Sequence, residues 1–305
     1  MIIKERQEPL EITALTSLNA RMALSESDKM NLFILKKGFE GECKSDLWLE
    51  GLSEDWLIIH DLLLEHKHSK FQIDTLLISQ DKIYPLDVKN YEGDNYLEDE
   101  KWLTYVKKEV KNPLHQLSRC EILFRLLLHD LGYNFPLESY LIFINPEFHL
   151  YQTSINPSIV FPTQLNRFLK KLNMKPIKPN KRHFKLAEQL VALHQIDLPH
   201  SRLPVYNFEK LEKGTLCPKC FSFYTELSGE KLVCGTCGCE EDVEPAILRS
   251  VTEIQLLFPD RKITTKTIQE WCKIIKSEKT VRRILARNYE LVGHGKSANY
   301  VSLIE

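Results

Sequence analysis

The sequence lacks the features that mark several common classes of protein. It contains only 11 glycines among 305 residues, and no glycine-rich loop of the kind that binds nucleotide phosphates. No apolar run is long enough to cross a bilayer, and the first residues, MIIKERQEP, are charged without the apolar stretch of a secretion signal. No internal repeat is present. We therefore expect a cytoplasmic protein without a membrane anchor or a nucleotide-binding loop.

A near-neutral net charge of −1 conceals an uneven distribution. Residues 246–305 contain eleven Lys and Arg against six Asp and Glu, an excess of +5, so the preceding residues sum to −6. This basic end is the part of the chain that we expect to contact nucleic acid. A length of 305 residues predicts two or three domains, at roughly 150 residues each.

Two acids and a lysine occur at a chemically informative spacing in the stretch QIDTLLISQDKIYPLDVKN, residues 72–90. Side chains alternate across a strand, so Asp87 and Lys89 should share one face while Val88 points into a core. If the strand that contains Asp74 pairs antiparallel with this one through a turn at Gln80–Asp81, both carboxylates can converge on one divalent cation.

Such a cluster predicts phosphodiester chemistry. Carboxylate oxygens suit Mg²⁺ or Mn²⁺, which complete their shell with water and substrate phosphate. The ion would polarise the phosphate and lower the pKa of a bound water, and Lys89 would orient that water or offset developing charge. The alternative for so short a pattern is a surface salt bridge at the end of a strand.

Two further candidates come from neighbouring helical patterns. Glu42 follows Gly38-Phe39-Glu40-Gly41, which opens an amphipathic helical segment whose inward face is predicted to contain Phe39, Cys43, Leu47 and Leu52. Glu42 could supply a third acid or be a solvated helix residue. Asn112-Pro113 predicts a helix N-cap followed by a first-turn proline. Gln116 lies in that first turn, where it could hold an attacking water or a phosphate oxygen, or serve only in capping.

The order of these blocks resembles the nuclease-related domain (NERD) family, a branch of the PD-(D/E)xK restriction-endonuclease-like superfamily. The blocks are G-x-x-G-E from Gly38, Q-I-D from Gln72, D-V-K-N-x-x-G from Asp87, Trp102, and N-P-x-x-Q from Asn112. They cover roughly residues 39–131. The resemblance implies a catalytic set of Glu42, Asp74, Asp87, Lys89 and Gln116, with Mg²⁺ or Mn²⁺ on Asp74 and Asp87, and DNA as the substrate.

Two departures from the family pattern affect the same strand. The family more often has Glu at the position of Asp87. Pro85 removes a ladder donor, so we expect a bulge, an edge or a break just before Asp87. These departures keep open the alternative of a catalytically inactive nucleic-acid-binding or regulatory protein on a nuclease fold.

Two Cys-x-x-Cys pairs, separated by thirteen residues, predict a zinc ribbon. Cys217, Cys220, Cys234 and Cys237 would supply the four thiolates that structural Zn²⁺ favours, and the intervening FSFYTELSGEKLV would form two strands with a turn at Ser228-Gly229. A redox dithiol pair is the rival interpretation. Cys239 is surplus unless it replaces Cys237, and the remaining cysteines are expected to be buried core thiols: Cys43, Cys120 and Cys272.

The residues after the ribbon predict three helices and a hairpin closed by His294-Gly295-Lys296, the outline of a winged helix. The third helix contains Val281, Ile284 and Leu285, which should face inward. Its basic residues and one hairpin lysine are the candidate nucleic-acid contacts: Lys279, Arg282, Arg283, Arg287 and Lys296. The alternative is a helical packing domain whose basic side is solvated or binds another protein.

These patterns together predict an α/β protein with a restriction-endonuclease-like mixed sheet flanked by helices. The expected domains are an N-terminal helical segment (1–37), the nuclease-like domain (38–200), the zinc ribbon (205–244) and the winged-helix-like module (245–305). A homodimer is compatible with this organisation.

Overall fold

The computed structural model describes residues 1–99, 101–174, 178–196, 202–295 and 298–302. The chain divides into two compact units. Unit 1 comprises Met1–Glu8 and Ile34–Asp197, and unit 2 comprises Pro9–Phe33 and Leu198–Glu305. The predicted N-terminal segment 1–37 is thus shared between both units, because its first residues form a strand of unit 1 and its first helix packs in the core of unit 2.

The secondary structure elements are as follows. In chain order they are β1 (Ile2–Lys4), α1 (Leu10–Arg21), α2 (Glu26–Leu49), β2 (Leu57–His66), β3 (Ser69–Ile78), β4 (Ile83–Lys89), β5 (Gly93–Glu98), β6 (Lys101–Thr104), β7 (Glu109–Val110), α3 (Pro113–Asp130), β8 (Tyr140–Phe143), β9 (Phe148–Tyr151), β10 (Ile159–Val160), α4 (Leu165–Asn173), α5 (Lys181–Ala192), β11 (Glu226–Ser228), β12 (Lys231–Val233), β13 (Glu240–Asp242), α6 (Val243–Leu257), α7 (Thr265–Cys272), α8 (Glu278–Asn288), β14 (Tyr289–Val292) and β15 (Asn299–Ser302).

The main sheet of unit 1 is mixed. Within the described residues its strand order is β1-β2-β3-β4-β8-β10, with β2, β3 and β4 antiparallel and the other neighbours parallel. Leu49 of α2 and Phe168 of α4 belong to the core cluster on one face, and Phe124 of α3 and Leu186 of α5 belong to another. The predicted mixed sheet flanked by helices is confirmed.

The predicted hairpin is formed by β3 and β4, which pair in continuous register from Ile78↔Ile83 to Thr75↔Leu86. Pro85 lies inside β4 opposite Leu76. Towards β8, an isolated bridge at Ile83 precedes a gap, and the ladder resumes at Leu86. The predicted break before Asp87 is therefore present on the β8 side, where a proline has no donor to offer.

Strict alternation of buried residues fails at one level of the sheet. Ile59 and Leu62 of β2 belong to the same core cluster although they are three positions apart, whereas regular alternation would place them on opposite faces. The inward face therefore changes between them, at Asp61, whose φ is 52°. On β3, Ile73 and Leu76 show the same change of phase. This irregularity lies where the candidate acids are found.

The sequence pattern predicted a helix that begins at Gly38, but α2 begins at Glu26. The predicted inward face was also wrong in part, because Leu47 is 66% exposed. The buried positions of this stretch are Gly41, Ser45 and Leu49, which recur every four residues. Small side chains face inward because this helix approaches another segment closely, as described below.

The other predicted elements of unit 1 are present. Asn112 caps α3 by accepting a 3.0 Å hydrogen bond from the Leu114 amide, and Pro113 is the first helical residue. The apolar stretch SYLIFIN (139–145), which by itself predicts a buried strand, forms β8. The helical patterns at 164–172 and 182–195 form α4 and α5. Within the described chain, β5, β6, β7 and β9 form a second sheet in unit 1, ordered β7-β6-β5-β9.

Unit 2 combines α1 with the elements from β11 onward. Its centre is Arg21, whose guanidinium donates to Glu253 (2.7 and 2.9 Å) and lies over the Trp271 ring. The helices α6, α7 and α8 are followed by the antiparallel pair β14 and β15. Three helices and a hairpin therefore occur in the predicted order, and their assignment as a winged helix stays a prediction.

None of the described helices combines the length and the apolar content that a bilayer crossing requires.

Candidate functional site

Asp74 and Asp87 lie on adjacent antiparallel strands. Continuing the β3–β4 register would place them opposite each other, but the ladder ends one pair earlier, at Thr75↔Leu86. The Asp74 carboxylate instead accepts a 2.7 Å hydrogen bond from the Val88 amide. The two strands therefore separate where the acids begin, and a side chain takes the place of a ladder bond.

Lys89 forms an ion pair with Asp87, with 2.5 Å between its Nζ and Asp87 Oδ1. The two side chains are only 15% and 11% exposed, so this pair is not the surface salt bridge that the bare pattern allowed. Val88 packs in the core on the opposite face, as the strand geometry predicted. On its other edge, β4 pairs with β8, and Asp87 lies opposite Leu141.

The protonation of this pair follows from its surroundings. Burial, together with the charge of Asp74, raises the pKa of Asp87 to about 7 despite the neighbouring lysine. Burial alone would lower the pKa of Lys89, but the charges of Asp87 and Asp74 raise it instead. Lys89 therefore stays protonated at neutral pH and can act as a cation but not as a base.

Glu42 is held by Arg6, which no local sequence pattern marks. Arg6 donates to Glu42 Oε2 (2.5 Å), to both oxygens of Asp46 (2.7 and 3.0 Å), and to the Asp74 carbonyl (2.8 Å). Its side chain is 4% exposed. Asp46, one helical turn after Glu42, also lies 3.0 Å from His60 Nδ1. Glu42 is thus a partly buried, paired acid.

The positive charge of Arg6 does not keep the pKa of Glu42 at its usual value. Burial, followed by the charge of Asp74, raises the pKa of Glu42 to about 8. The charge of Lys89 acts in the opposite direction, so Glu42, Asp74 and Lys89 share one electrostatic environment. A bound cation would stabilise the ionised form of the carboxyl group.

Gly41 allows α2 to approach the end of β4. A Cβ at Gly41 would lie 2.4 Å from Asn90 Cβ, which no ordinary contact permits. Asn90 also donates to the Lys37 carbonyl (2.7 Å). Because Asn90 follows Lys89 directly and Glu42 follows Gly41 directly, this close contact fixes the position of Glu42 relative to β4.

Gln116 is exposed in the first turn of α3, and no hydrogen bond of its side chain is found among the described residues. Asn112 provides the cap of this helix, so Gln116 is not needed for it. Cys120, one turn further on the same face, is close to the acids. Burial raises its pKa to about 12, and the charges of Asp87 and Asp74 contribute to the shift.

The acids fit a divalent cation in chemistry. Asp87 is 8% exposed, and the Lys89 ammonium lies 2.5 Å from its Oδ1. Such an oxygen, with those of Asp74 and Glu42, belongs to the ligand class of Mg²⁺ and Mn²⁺. Within the described chain, however, the three acids do not bring one oxygen each within 4.8 Å of one another. Contacts with Arg6, Lys89 and the Val88 amide position these carboxylates.

The ribbon cysteines converge as the spacing predicted. The sulfurs of Cys217, Cys220, Cys234 and Cys237 all lie within 4.8 Å of one another and could bind a structural metal such as zinc. Hydrogen bonds from the Ser222 amide and hydroxyl lower the pKa of Cys220 to about 6, which favours the thiolate.

The other cysteines lie outside that group. Cys239 is not part of it. The strands predicted between the two Cys-x-x-Cys pairs are β11 and β12, shorter than expected, with Gly229 at the turn in the left-handed region (φ 62°). Cys120 and Cys272 are buried as predicted, whereas Cys43 is only half-buried.

The candidate nucleic-acid contacts on α8 are exposed, and the predicted inward residues Val281, Ile284 and Leu285 are buried. Most of the basic side chains have acidic partners. Arg282 pairs with Glu278 (3.1 Å), Arg283 with Glu230 (3.5 Å) and Arg287 with Glu244 (3.1 Å). Lys279 has no ion pair among the described residues, and Lys296 lies outside them.

Unit 1 thus combines a mixed α/β fold with a buried Asp87 and half-buried Asp74 and Lys89 at the end of the β3–β4 hairpin. Residues 37–144 match the family model described as the nuclease-related domain. This stretch contains all five candidate catalytic residues, whereas Arg6 lies outside it. The match indicates a nuclease-related function for this part of the chain. Searches of curated proteins and of solved structures gave no match.

Proposed function

We propose that the chain is a metal-dependent nuclease that hydrolyses phosphodiester bonds of DNA. The observation that carries this proposal is the approach of Asp74 to the Asp87–Lys89 pair, through the 2.7 Å hydrogen bond to the amide between them. That arrangement lies inside the stretch that matches the nuclease-related domain. It supplies acidic oxygens and one fixed cation at the same point of the sheet.

Each residue has a distinct role in this proposal. Asp74 and Asp87 would hold Mg²⁺ or Mn²⁺, with Glu42 as the third acid. When bound, such an ion polarises the scissile phosphate and lowers the pKa of a bound water. Lys89, which stays protonated, offsets the negative charge that develops on the phosphate. The Gln116 amide, which has no side-chain hydrogen bond within the described part of the chain, can hold the attacking water or a phosphate oxygen.

The burial of the acids supports hydrolysis over simple binding. Burying a carboxylate costs free energy, and the raised pKa of Asp87 expresses that cost. A protein that only binds nucleic acid gains nothing from such a group, because phosphate is attracted by cations and repelled by carboxylates. An inactive nucleic-acid-binding or regulatory protein is therefore the less favoured reading.

We also propose that the four-cysteine group holds zinc in a structural role. Four thiolates leave no open position for a substrate, so the metal would contribute folding free energy and not catalysis. In this proposal unit 2 serves to bind and orient DNA.

Incubation of the purified protein with plasmid and linear DNA tests the main proposal. We expect cleavage with Mg²⁺ or Mn²⁺, none with EDTA, and recovery when excess Mg²⁺ is added. Asp87→Ala and Lys89→Ala should abolish it. Asp81→Ala and Lys82→Ala are matched controls, because they change the same residue types at the exposed turn before β4. Equal cleavage by all four variants would refute the assignment of the site.

A further inference from the structure

The turn between β6 and β7 exposes an aromatic and an aliphatic side chain together. Tyr105 and Val106 are each 78% exposed. The backbone of the turn is nevertheless closed by hydrogen bonds from Thr104 N to Lys108 O (3.0 Å) and from Lys107 N to Thr104 O (2.8 Å). Lys107 adopts a left-handed backbone conformation, with φ of 61°. An ordered turn therefore presents two apolar side chains to solvent at the cost of a strained residue.

The same turn is strongly basic. Residues 101–111 contain four lysines and one glutamate. Among the described residues, Glu109 forms an ion pair only with Lys101, at 4.0 Å, and no ion pair involves Lys107, Lys108 or Lys111. An exposed aromatic ring between unpaired lysines is suited to nucleic acid, because the cations attract phosphates and the ring stacks on a base.

The hairpin is connected to the candidate catalytic residues at both of its ends. Tyr91, two residues after Lys89, packs edge-on against the fully buried Trp102 of β6, with 6.5 Å between ring centroids. Tyr105 follows Trp102 by three residues, which corresponds to about 10 Å along a strand.

The other end of the hairpin leads into the helix that carries Gln116. One residue, Lys111, separates β7 from Asn112, the cap of α3. A groove of about 620 Å³ runs between the base of the hairpin and α3, and Lys101, Lys111 and His115 are among its lining residues. A strand held at the tip could thus continue towards the first turn of α3.

We propose that this tip captures an unpaired nucleotide of a DNA substrate, with Tyr105 stacked on the base and Lys107 and Lys108 bound to the flanking phosphates. The proposal rests on the proposed function, since it assigns the substrate-binding element of that same site. An unpaired base is specified because a ring on a short turn can stack only on a base whose face is accessible, which a duplex does not offer.

Fluorescence anisotropy with a labelled single-stranded oligonucleotide and a duplex of the same sequence tests the proposal. The full-length protein is used without added Mg²⁺, so that binding is measured apart from cleavage. Tyr105→Ala should weaken single-strand binding by about ten-fold, the order expected for one base–aromatic stack, and leave duplex binding unchanged. Tyr105→Phe, which keeps the ring, should bind like the wild type.

The lysines are tested by the salt dependence of single-strand binding. Lys107→Gln with Lys108→Gln should reduce the slope of log K against log salt by about 1.4, because two phosphate contacts are lost. Lys67→Gln with Lys70→Gln is the matched control, since these exposed lysines flank the turn between β2 and β3 and Lys67 is also left-handed. The control should leave the slope unchanged.

The outcomes separate this inference from the function on which it rests. If the wild type cuts DNA but Tyr105→Ala binds single strands as tightly as the wild type, the role of the tip is overturned and the nuclease proposal stands. If the wild type neither binds nor cuts DNA, both fail. If Tyr105→Ala weakened duplex binding as much as single-strand binding, the proposal that the tip needs an unpaired base would be wrong. Loss of self-association in sedimentation velocity, with DNA binding unchanged, would make the tip a contact between two copies of the chain.

Discussion

The carboxylate of Asp74 accepts a hydrogen bond from the backbone amide of Val88, at 2.7 Å. This bond joins β3 and β4 at a point where they form no regular ladder pair. It leaves the second carboxylate oxygen of Asp74 available to other partners. The Asp74 carboxylate thus has two separate roles. Its hydrogen bond to the Val88 amide stabilises the fold, and its negative charge would attract a metal cation. These two contributions can be separated by mutation.

Asp74→Asn should separate them, because an amide oxygen can accept the Val88 hydrogen bond but carries no charge. We expect the melting temperature to change little and cleavage to fall by about 10²-fold or more, the order of losing one electrostatic contact in the transition state. Asp74→Ala should lose the same activity and also about 1.5–3 kcal/mol of stability, the value of a hydrogen bond to a charged group. Circular dichroism melts and initial cleavage rates measure both. Wild-type activity in Asp74→Asn would exclude Asp74 as a metal ligand.

Gly41→Ala should displace α2 from the end of β4, because the new Cβ would lie 2.4 Å from Asn90 Cβ. Glu42 moves with the helix, so we expect both lower stability and lower cleavage. Gly38→Ala is the matched control on the same helix, since nothing lies within 4 Å of its Cβ position. It should stabilise the protein by up to about 1 kcal/mol through helix propensity, with activity unchanged. Equal effects of the two substitutions in urea denaturation would contradict the close-approach argument.

The main features of the site could be predicted from local patterns in the sequence. Four of these features each depend on a few neighbouring residues: the shared face of Asp87 and Lys89, the β3–β4 hairpin, the break at Pro85 and the cap of α3. The cysteine cluster follows in the same way from spacing alone. Rules of this kind need no knowledge of distant parts of the chain.

Other features depend on contacts between residues far apart in the chain. Arg6 meets Glu42 and Asp74 only after folding, and nothing in MIIKERQEP marks it. The inward face of α2 was mispredicted because Gly41 and Ser45, which are small, pack inward, while Leu47 is left exposed. The acidic partners of the α8 arginines were missed for the same reason, since Glu230 and Glu244 lie far from α8 in sequence.

The contribution of Glu42 and Asp87 to the stability of the Mg²⁺-free protein should fall as pH rises from about 5 to about 8. The pKa of Glu42 is raised from 4.5 to about 8, and that of Asp87 from 3.8 to about 7. The folded state therefore binds these protons more tightly than the unfolded state, so the stabilisation is present at low pH and is lost as each group ionises. Glu42→Gln cannot ionise, and its stability relative to the wild type should rise across this range.

Urea denaturation between pH 5 and 9 without added Mg²⁺ measures this difference, and excess Mg²⁺ should reduce it by offsetting the negative charge. Parallel stability curves for the wild type and Glu42→Gln would show that Glu42 titrates normally.

About one zinc per chain should copurify with the protein, as one four-thiolate site requires. Cys237→Ser should lose most of this zinc and destabilise unit 2, because metal binding contributes to folding. Cys239→Ser is the matched control, since Cys239 lies two residues away but outside the group of four. Elemental analysis and thermal melts measure both effects. Equal zinc loss in the two variants would mean that the ligand set has been misassigned.

Arg283→Glu combined with Arg287→Glu tests whether α8 binds duplex DNA. If these residues contact phosphates, affinity should fall and the slope of log K against log salt should decrease by about 1.8, since each contact releases counterions. Their pairing with Glu230 and Glu244 adds a second test. Glu230→Gln with Glu244→Gln should strengthen DNA binding, because the arginines are released from competing acids.

In the alternative packing role, both pairs of substitutions leave DNA retention unchanged at low and high salt. They then lower stability by no more than about 1 kcal/mol per pair, because exposed ion pairs contribute little. Lys67→Glu with Lys70→Glu reverses two exposed lysines of unit 1 and controls for the change in net charge. A loss of duplex binding in this control equal to that of the α8 variant would show that overall charge, and not the surface of α8, determines the affinity.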